Sequence, residues 1–276
     1  MDIFQEILKK AENDGQLDPR LAASISGKKT RFWNVKKLPL PPMLMTLPEK
    51  AIYDLQKIME NIRQLSESKT AQIIGFTSAI PNQGTSSVIS LLSLLMAARE
   101  KMSYEQMQQQ KNGGNGKNAY QHGVLLMDGQ LRNPSIHHKF GLQQSGGILE
   151  VLENQLPTNR LMKSIEASAL KIVTTGIYKN FHLAQNHLEK LDQLLMNARR
   201  RVKFIFIDIP PVLAYSEGIS LSRLCDGVIM VMQSGEIRWE VMQEARRYLE
   251  RAEIPIFGGI LNRREYHIPA WVYRNI

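Results

Sequence analysis

The sequence predicts an α/β fold, a three-layer α/β/α domain built on a mainly parallel sheet. Short apolar runs, typical of strands covered on both faces, alternate with longer segments of helical periodicity. Strands that are separated by helices are joined by right-handed crossovers, which favour parallel pairing. The strand-like runs are AQIIGFTS, GVLLMDG, LKIVTTG, KFIFIDIPP, DGVIMVMQ and FGGILN. We therefore expect about six strands in one domain over residues 49–276.

Composition limits the class of protein. The chain has 276 residues, 43% of them hydrophobic, which is enough for a substantial core. Lys and Arg number 35 against 26 Asp and Glu, and the net charge of +9 suits anionic lipid, nucleic acid, phosphate or an acidic partner. A single cysteine, Cys225, excludes an intrachain disulfide and favours a reducing compartment. The longest apolar run, from Val88 to Ala98, is too short to cross a bilayer, so we expect a soluble or peripheral protein.

Two segments depart from the alternation of strands and helices. Residues 1–48 are basic and rich in proline, which predicts a flexible N-terminal segment. Residues 103–121 are rich in polar residues without periodicity, which predicts a flexible insertion. The domain itself begins with a helix from Glu49 to Ser66, because its apolar residues recur at helical spacing.

The first strand-like run leads into a loop that suits a phosphate group. In α/β sheets, ligands bind where the carboxyl ends of strands meet the amino ends of helices. The loop from Ala79 to Ser86 has Gly84 just before the position where a phosphate loop carries lysine, and a serine where a hydroxyl would hold magnesium. The lysine position holds Thr85, which brings no positive charge. An ordinary turn capped by a hydroxyl is the alternative interpretation.

Two further strand-like runs end in an acidic residue. Asp128 closes VLLMD and is followed by Gln130 and Arg132, whereas Asp208 closes FIFID and is followed by two prolines. Carboxylates at these strand ends can orient magnesium or its waters beside a phosphate loop.

Together, TSAIPNQGTSS, LLMDGQLRNPS and FIFIDIPPVL resemble the Walker A, A′ and B motifs of the cytoplasmic kinase domain of the bacterial tyrosine kinases, or BY-kinases. That family accompanies polysaccharide co-polymerases in capsule and exopolysaccharide production. The resemblance extends from about Glu49 to Asn262 and implies a P-loop-type fold that binds ATP or ADP with magnesium. It also implies a polysaccharide co-polymerase-type inner-membrane partner, and a cytoplasmic protein peripheral to the inner face of the bacterial inner membrane.

The resemblance assigns the site residues as well. Asp128 and Asp208 would be the catalytic carboxylates and, with Ser86, the magnesium ligands. The residues that would contact the nucleotide are Gly84, Thr85, Ser86, Gln130, Arg132 and Asn262.

The sequence departs from the family at charged positions. Thr85 replaces the Walker A lysine, and Gln130 replaces the second A′ aspartate, so it cannot accept a proton as a base. The family's self-association helix carries one Glu and two Arg at positions that here hold Tyr53, Gln56 and Met59. Any homo-oligomer is therefore expected to form without the family's ring motif.

These departures lead to three hypotheses. The first is a catalytically impaired BY-kinase-like protein, a pseudokinase that acts as a scaffold or regulator in exopolysaccharide or capsule biosynthesis and export. The second is an active tyrosine autokinase or ATPase of the same pathway, in which Arg132 or a partner's cation replaces the lysine. The third is a positioning ATPase of the septum-site or plasmid-partition type. No nucleic acid is expected as a partner, because the basic residues are dispersed.

Two histidines and the cysteine have simpler interpretations. His137 and His138 follow the A′ run, where they could face a phosphate, but exposed helix residues are the expected interpretation. Cys225 is expected to be a small buried hydrophobe.

Overall fold

The computed structural model describes residues 49–65, 72–110, 123–165, 168–177 and 183–263. The predicted N-terminal segment and most of the predicted insertion lie outside the described residues. Within these ranges, no helix is both long and apolar enough to span a bilayer.

Among the described residues, one sheet of seven strands forms the middle layer. Its strands are β1 (Gln72–Thr77), β2 (Val124–Asp128), β3 (Lys163–Ser164), β4 (Leu170–Val173), β5 (Phe204–Asp208), β6 (Gly227–Gln233) and β7 (Ile256–Asn262). The order is β3-β4-β2-β5-β1-β6-β7, and every pair is parallel except β3 with β4. The predicted α/β fold with a mainly parallel sheet is confirmed, and all six apolar runs form strands. The two polar residues of β3 are too few to leave an apolar pattern.

Helices cover both faces of the sheet. They are α1 (Glu49–Leu65), α2 (Thr85–Gln110), α3 (Ile136–Lys139), α4 (Ile148–Leu152), α5 (Gln185–Arg199), α6 (Ser216–Ser222) and α7 (Trp239–Arg251), with a 3₁₀ helix at Thr158–Arg160. Helix α2 continues into the predicted insertion as far as Gln110. Its last turns contain Glu, Gln and Met, which have good intrinsic helix propensity, so the helix continues without an apolar stripe.

The core lies in two layers, one on each face of the sheet. Because side chains alternate along a strand, Phe204 and Phe206 of β5 enter one layer while Ile205 and Ile207 enter the other. Helices α1 and α2 cover the first layer, and α5 and α7 cover the second. Met59 of α1 belongs to the first layer and is only 2% exposed.

The carboxyl ends of β1, β2 and β5 lie together at one edge of the sheet. Asp128 is the register partner of Asp208, and Phe76 of β1 pairs with Asp208 from the other side. The topology thus places the predicted phosphate loop and both predicted acids at the position where α/β sheets bind ligands.

Candidate functional site

The loop between β1 and α2 has a backbone that requires glycine at one position. Gly84 has a φ of 81°, and a Cβ atom there would lie 2.2 Å from Nδ2 of Asn262. Its carbonyl accepts hydrogen bonds of 3.0 Å from the amides of Ser87 and Val88, which start α2. The loop therefore ends in the first turn of a long helix, whose free N–H groups and dipole favour an anion.

Side chains and backbone groups of β6 and β7 hold this loop in place. The Asn262 amide donates to the carbonyl of Gln83 at 2.9 Å, and the Gln83 side-chain oxygen accepts from the amide of Gln233 at 2.7 Å. Asn262, predicted to contact nucleotide, thus lies beside the loop and braces it.

Asp208 is fully buried at the end of β5. Its Oδ1 accepts a hydrogen bond of 3.2 Å from Nε2 of Gln130, whereas Oδ2 accepts no well-aligned hydrogen bond from the described residues, although the hydroxyl of Ser86 lies near the carboxylate. Burial and the neighbouring charge of Asp128 raise the pKa of Asp208 to about 7, although Ser86, Gln130 and Lys139 oppose the shift. An unpartnered oxygen on a buried acid suits a cation or a proton.

Asp128 is equally buried, but both of its oxygens are occupied. Oδ1 accepts from the amide of Gln130 at 3.1 Å, and Oδ2 accepts from the amides of Ser135 at 3.2 Å and Ile136 at 3.1 Å. Burial raises the pKa of Asp128, and these amides oppose the shift. Asp128 therefore shapes the turn that joins β2 to α3.

Gln130 joins the two strand ends through its side chain. Its Nε2 donates to Oδ1 of Asp208 and, at 3.1 Å, to the carbonyl of Ile209. A neutral hydrogen-bond donor therefore contacts Asp208.

The structure places a cation near the loop that the sequence patterns did not indicate. The Nζ atom of Lys139, at the end of α3, donates to Oγ of Ser87 at 2.9 Å. Burial lowers the pKa of Lys139, while the charges of Asp208 and Asp128 raise it, so this amine lies within electrostatic reach of both acids. Lys139 ends a helix of four residues, which is too short for periodicity to show what it faces.

Thr85 lies at the predicted lysine position with its side chain buried. Its Oγ1 has no hydrogen-bond partner among the described residues, and the residue is 6% exposed. No positive charge enters the loop from this position.

Arg132, predicted to contact nucleotide, is already paired. Its Nη2 and Nε lie 2.7 Å and 3.0 Å from Oε1 of Glu217 in α6. Its guanidinium carbon is 5.7 Å from the centre of the Tyr215 ring. The structure thus brings Arg132 to the rim of the site as one half of an ion pair.

The prediction for His137 was wrong, because this side chain is buried while His138 is exposed. Helix α3 packs Ile136 into the core and takes His137 with it. Burial and the nearby charges of His138 and Lys163 lower the pKa of His137.

The residues fit a magnesium ion that binds together with phosphate. Asp208 has an unpartnered buried oxygen, and Ser86 lies in the first turn of α2. Magnesium commonly takes one or two protein ligands and completes its shell with phosphate and water. The described residues contain no cluster of three or more His, Cys, Asp or Glu that would hold a metal without such a ligand.

Comparison with known proteins identifies relatives of this chain and the fold that it shares with them. No family model matches the chain. The tyrosine-protein kinase YwqD of Bacillus subtilis (strain 168) is 24% identical over 208 residues, which are 75% of this chain and 79% of that protein. The kinase domain of VpsO is 27% identical with a TM-score of 0.59, over 78% of this chain and 98% of that domain.

A more distant structure shows the wider fold. The septum-site-determining protein MinD from Pyrococcus horikoshii OT3, solved with Mg-ADP, has a TM-score of 0.53 at 18% identity over 74% of this chain and 76% of its own. The chain spans only 26% of the length of another curated tyrosine-protein kinase, ptk of Acinetobacter johnsonii, to which it is 21% identical over 77% of its own length. The chain is therefore a relative of the bacterial tyrosine-protein kinases and has their P-loop kinase-domain fold, which MinD-like ATPases share.

Proposed function

We propose that this chain is a catalytically impaired relative of the BY-kinases that acts by binding, as a scaffold or regulator in exopolysaccharide or capsule synthesis and export. The observation that carries the proposal is the hydrogen bond from the Gln130 amide to Asp208. A neutral donor there cannot accept a proton, and it engages one oxygen of the acid nearest the loop.

Two losses of charge support impaired turnover. Thr85 leaves the loop without its own cation, and Gln130 replaces an acid beside Asp208. Loss of one positioned group that stabilises transition-state charge typically lowers the rate by about two orders of magnitude or more. Both losses together leave little phosphoryl transfer.

The partner and location follow from the BY-kinase resemblance. We propose that the chain binds a polysaccharide co-polymerase-type inner-membrane protein at the cytoplasmic face, and its net charge of +9 suits an anionic surface there. Met59 is buried against the core, so it cannot take part in self-association as the arginine of the ring motif does in the family.

The test restores the missing charges. Full-length wild type and the Thr85→Lys/Gln130→Asp variant are incubated with Mg-ATP, and phosphate release and phosphotyrosine are measured. We expect wild type near background and the double variant faster by about a hundredfold at least, since each restored group contributes about that factor. Adding Asp208→Asn to the double variant should abolish the gain. Wild-type turnover in the range of ordinary kinases, roughly 1–100 per second, would contradict the proposal.

The position of Lys139 favours a second candidate, an active ATPase or tyrosine autokinase. Its amine could supply charge to the loop, since Arg132 is held by Glu217. Phosphotyrosine that forms on wild type with Mg-ATP and is lost in Asp208→Asn would establish this candidate.

A further inference from the structure

The phosphate loop has an environment for an anion but no cation of its own. The first turn of α2, a helix of 26 residues, follows Gly84, and its Thr85 hydroxyl is buried without a partner among the described residues. A helix start of this kind attracts phosphate through its N–H groups. The two buried acids across the sheet edge act against that attraction, so phosphate binding requires a positive charge nearby.

Lys139 is positioned to provide this charge. Its amine contacts Ser87, which lies in the same helical turn as Thr85, and the amine has further N–H donors besides the one directed at Ser87. The amides of Ser135 and Ile136 hold the amino end of α3 on Asp128, and the helix has only four residues, so Lys139 lies close to this anchor. Half-burial of Lys139 strengthens the interaction of its amine with a phosphate compared with an exposed lysine.

We propose that Lys139 is the phosphate-binding cation of this site and that its amine contacts a phosphate group of ATP or ADP bound with magnesium, in place of a lysine at position 85. This inference rests on the proposed function and names the ligand and the cation of the same site. It explains how the chain retains nucleotide as a regulatory ligand although turnover is impaired.

The experiment measures nucleotide affinity by isothermal titration calorimetry with ADP and ATP in the presence of magnesium. It compares the full-length wild type, Lys139→Met, Thr85→Lys/Lys139→Met and the control Lys171→Met. Lys171 is a matched control because it is also a half-buried lysine with its pKa lowered by burial. It lies near the amino end of β4, away from the loop at the carboxyl ends of the strands.

Lys139→Met is expected to weaken nucleotide binding by about tenfold or more, since a hydrogen bond from a charged group is lost. Lys171→Met should bind as wild type does, and Thr85→Lys/Lys139→Met should regain affinity because the charge returns from the loop. This rescue separates a direct role of the amine from a structural one, and thermal unfolding without nucleotide verifies that each variant folds.

Three results would overturn the inference. The first is that wild type binds neither ADP nor ATP, and the second is that Lys139→Met binds nucleotide as wild type does. The third is that Thr85→Lys/Lys139→Met folds but does not regain affinity for nucleotide. Failure of the proposed function would give a different result. Wild type would then turn over ATP rapidly, whether or not Lys139→Met changes the affinity for nucleotide.

Discussion

The ends of β2 and β5 carry the same residue in register, yet the two aspartates differ in their surroundings. Asp128 accepts three backbone N–H groups, whereas Asp208 accepts one side-chain amide and keeps an oxygen without a partner among the described residues. One acid therefore stabilises a turn, and the other is available to a ligand. Residue type and strand position alone do not separate these roles, because the difference lies in which donors reach each carboxylate.

The comparison predicts that the two acids respond in opposite directions to the same substitution. Asp128→Asn places an amide group among backbone donors, where one of its ends cannot accept a hydrogen bond. We expect a net loss of about 1.5 kcal/mol in the free energy of unfolding at about pH 7, the lower value for a hydrogen bond to a charged group, because the burial that raises the pKa of Asp128 to about 6 offsets part of the lost bonding. Urea denaturation measures the change. Unchanged stability of Asp128→Asn would show that the three amides contribute little.

Gln130→Asp alone sharpens the comparison by adding a third carboxylate. It removes the donor on Oδ1 of Asp208 and places a like charge in its vicinity. We expect the free energy of unfolding to fall by about 2 kcal/mol without magnesium, because like charges in a buried site repel. Millimolar magnesium should restore much of the lost free energy of unfolding in Gln130→Asp and have little effect on the stability of wild type. The isosteric variant Gln130→Glu serves as the matched control. If Gln130→Asp and Gln130→Glu both lose stability and magnesium restores neither, the result would contradict a cation-binding site.

Asp208→Asn tests the acid with the unpartnered oxygen through the pH dependence of the protein's stability. The pKa of Asp208 is raised to about 7 from its ordinary 3.8, so the folded chain keeps a proton that the unfolded chain has lost between those values. Stability from this group is therefore full at low pH and declines as pH rises towards 7. Asparagine cannot ionise and avoids the decline.

We expect Asp208→Asn to be more stable than wild type by on the order of 1 kcal/mol at about pH 8, with the gain disappearing near pH 4. The gain is moderate because the asparagine also buries an amide group where Asp208 has an oxygen without a partner among the described residues. Thermal unfolding across this pH range measures it, and a gain that does not depend on pH would show that ionisation of Asp208 is not its cause.

Much of the site could be predicted from sequence because its parts are local. The apolar runs, the loop with Gly84 and the acids at strand ends are each visible within about ten residues of chain. Parallel pairing of neighbouring strands then brings the loop and the acids to one edge, as the structure has them.

The remainder depended on contacts between elements far apart in the chain. The sequence by itself determined the α/β fold and the glycine-containing loop before α2, and it shows uncharged residues at positions 85 and 130. Only the tertiary structure decided that Arg132 pairs with Glu217, that His137 is buried and that Lys139 reaches Ser87. The physical reason is that hydrophobic periodicity indicates only the secondary structure of the local segment. Whether a polar side chain is buried or forms an ion pair depends on which distant element packs beside that side chain.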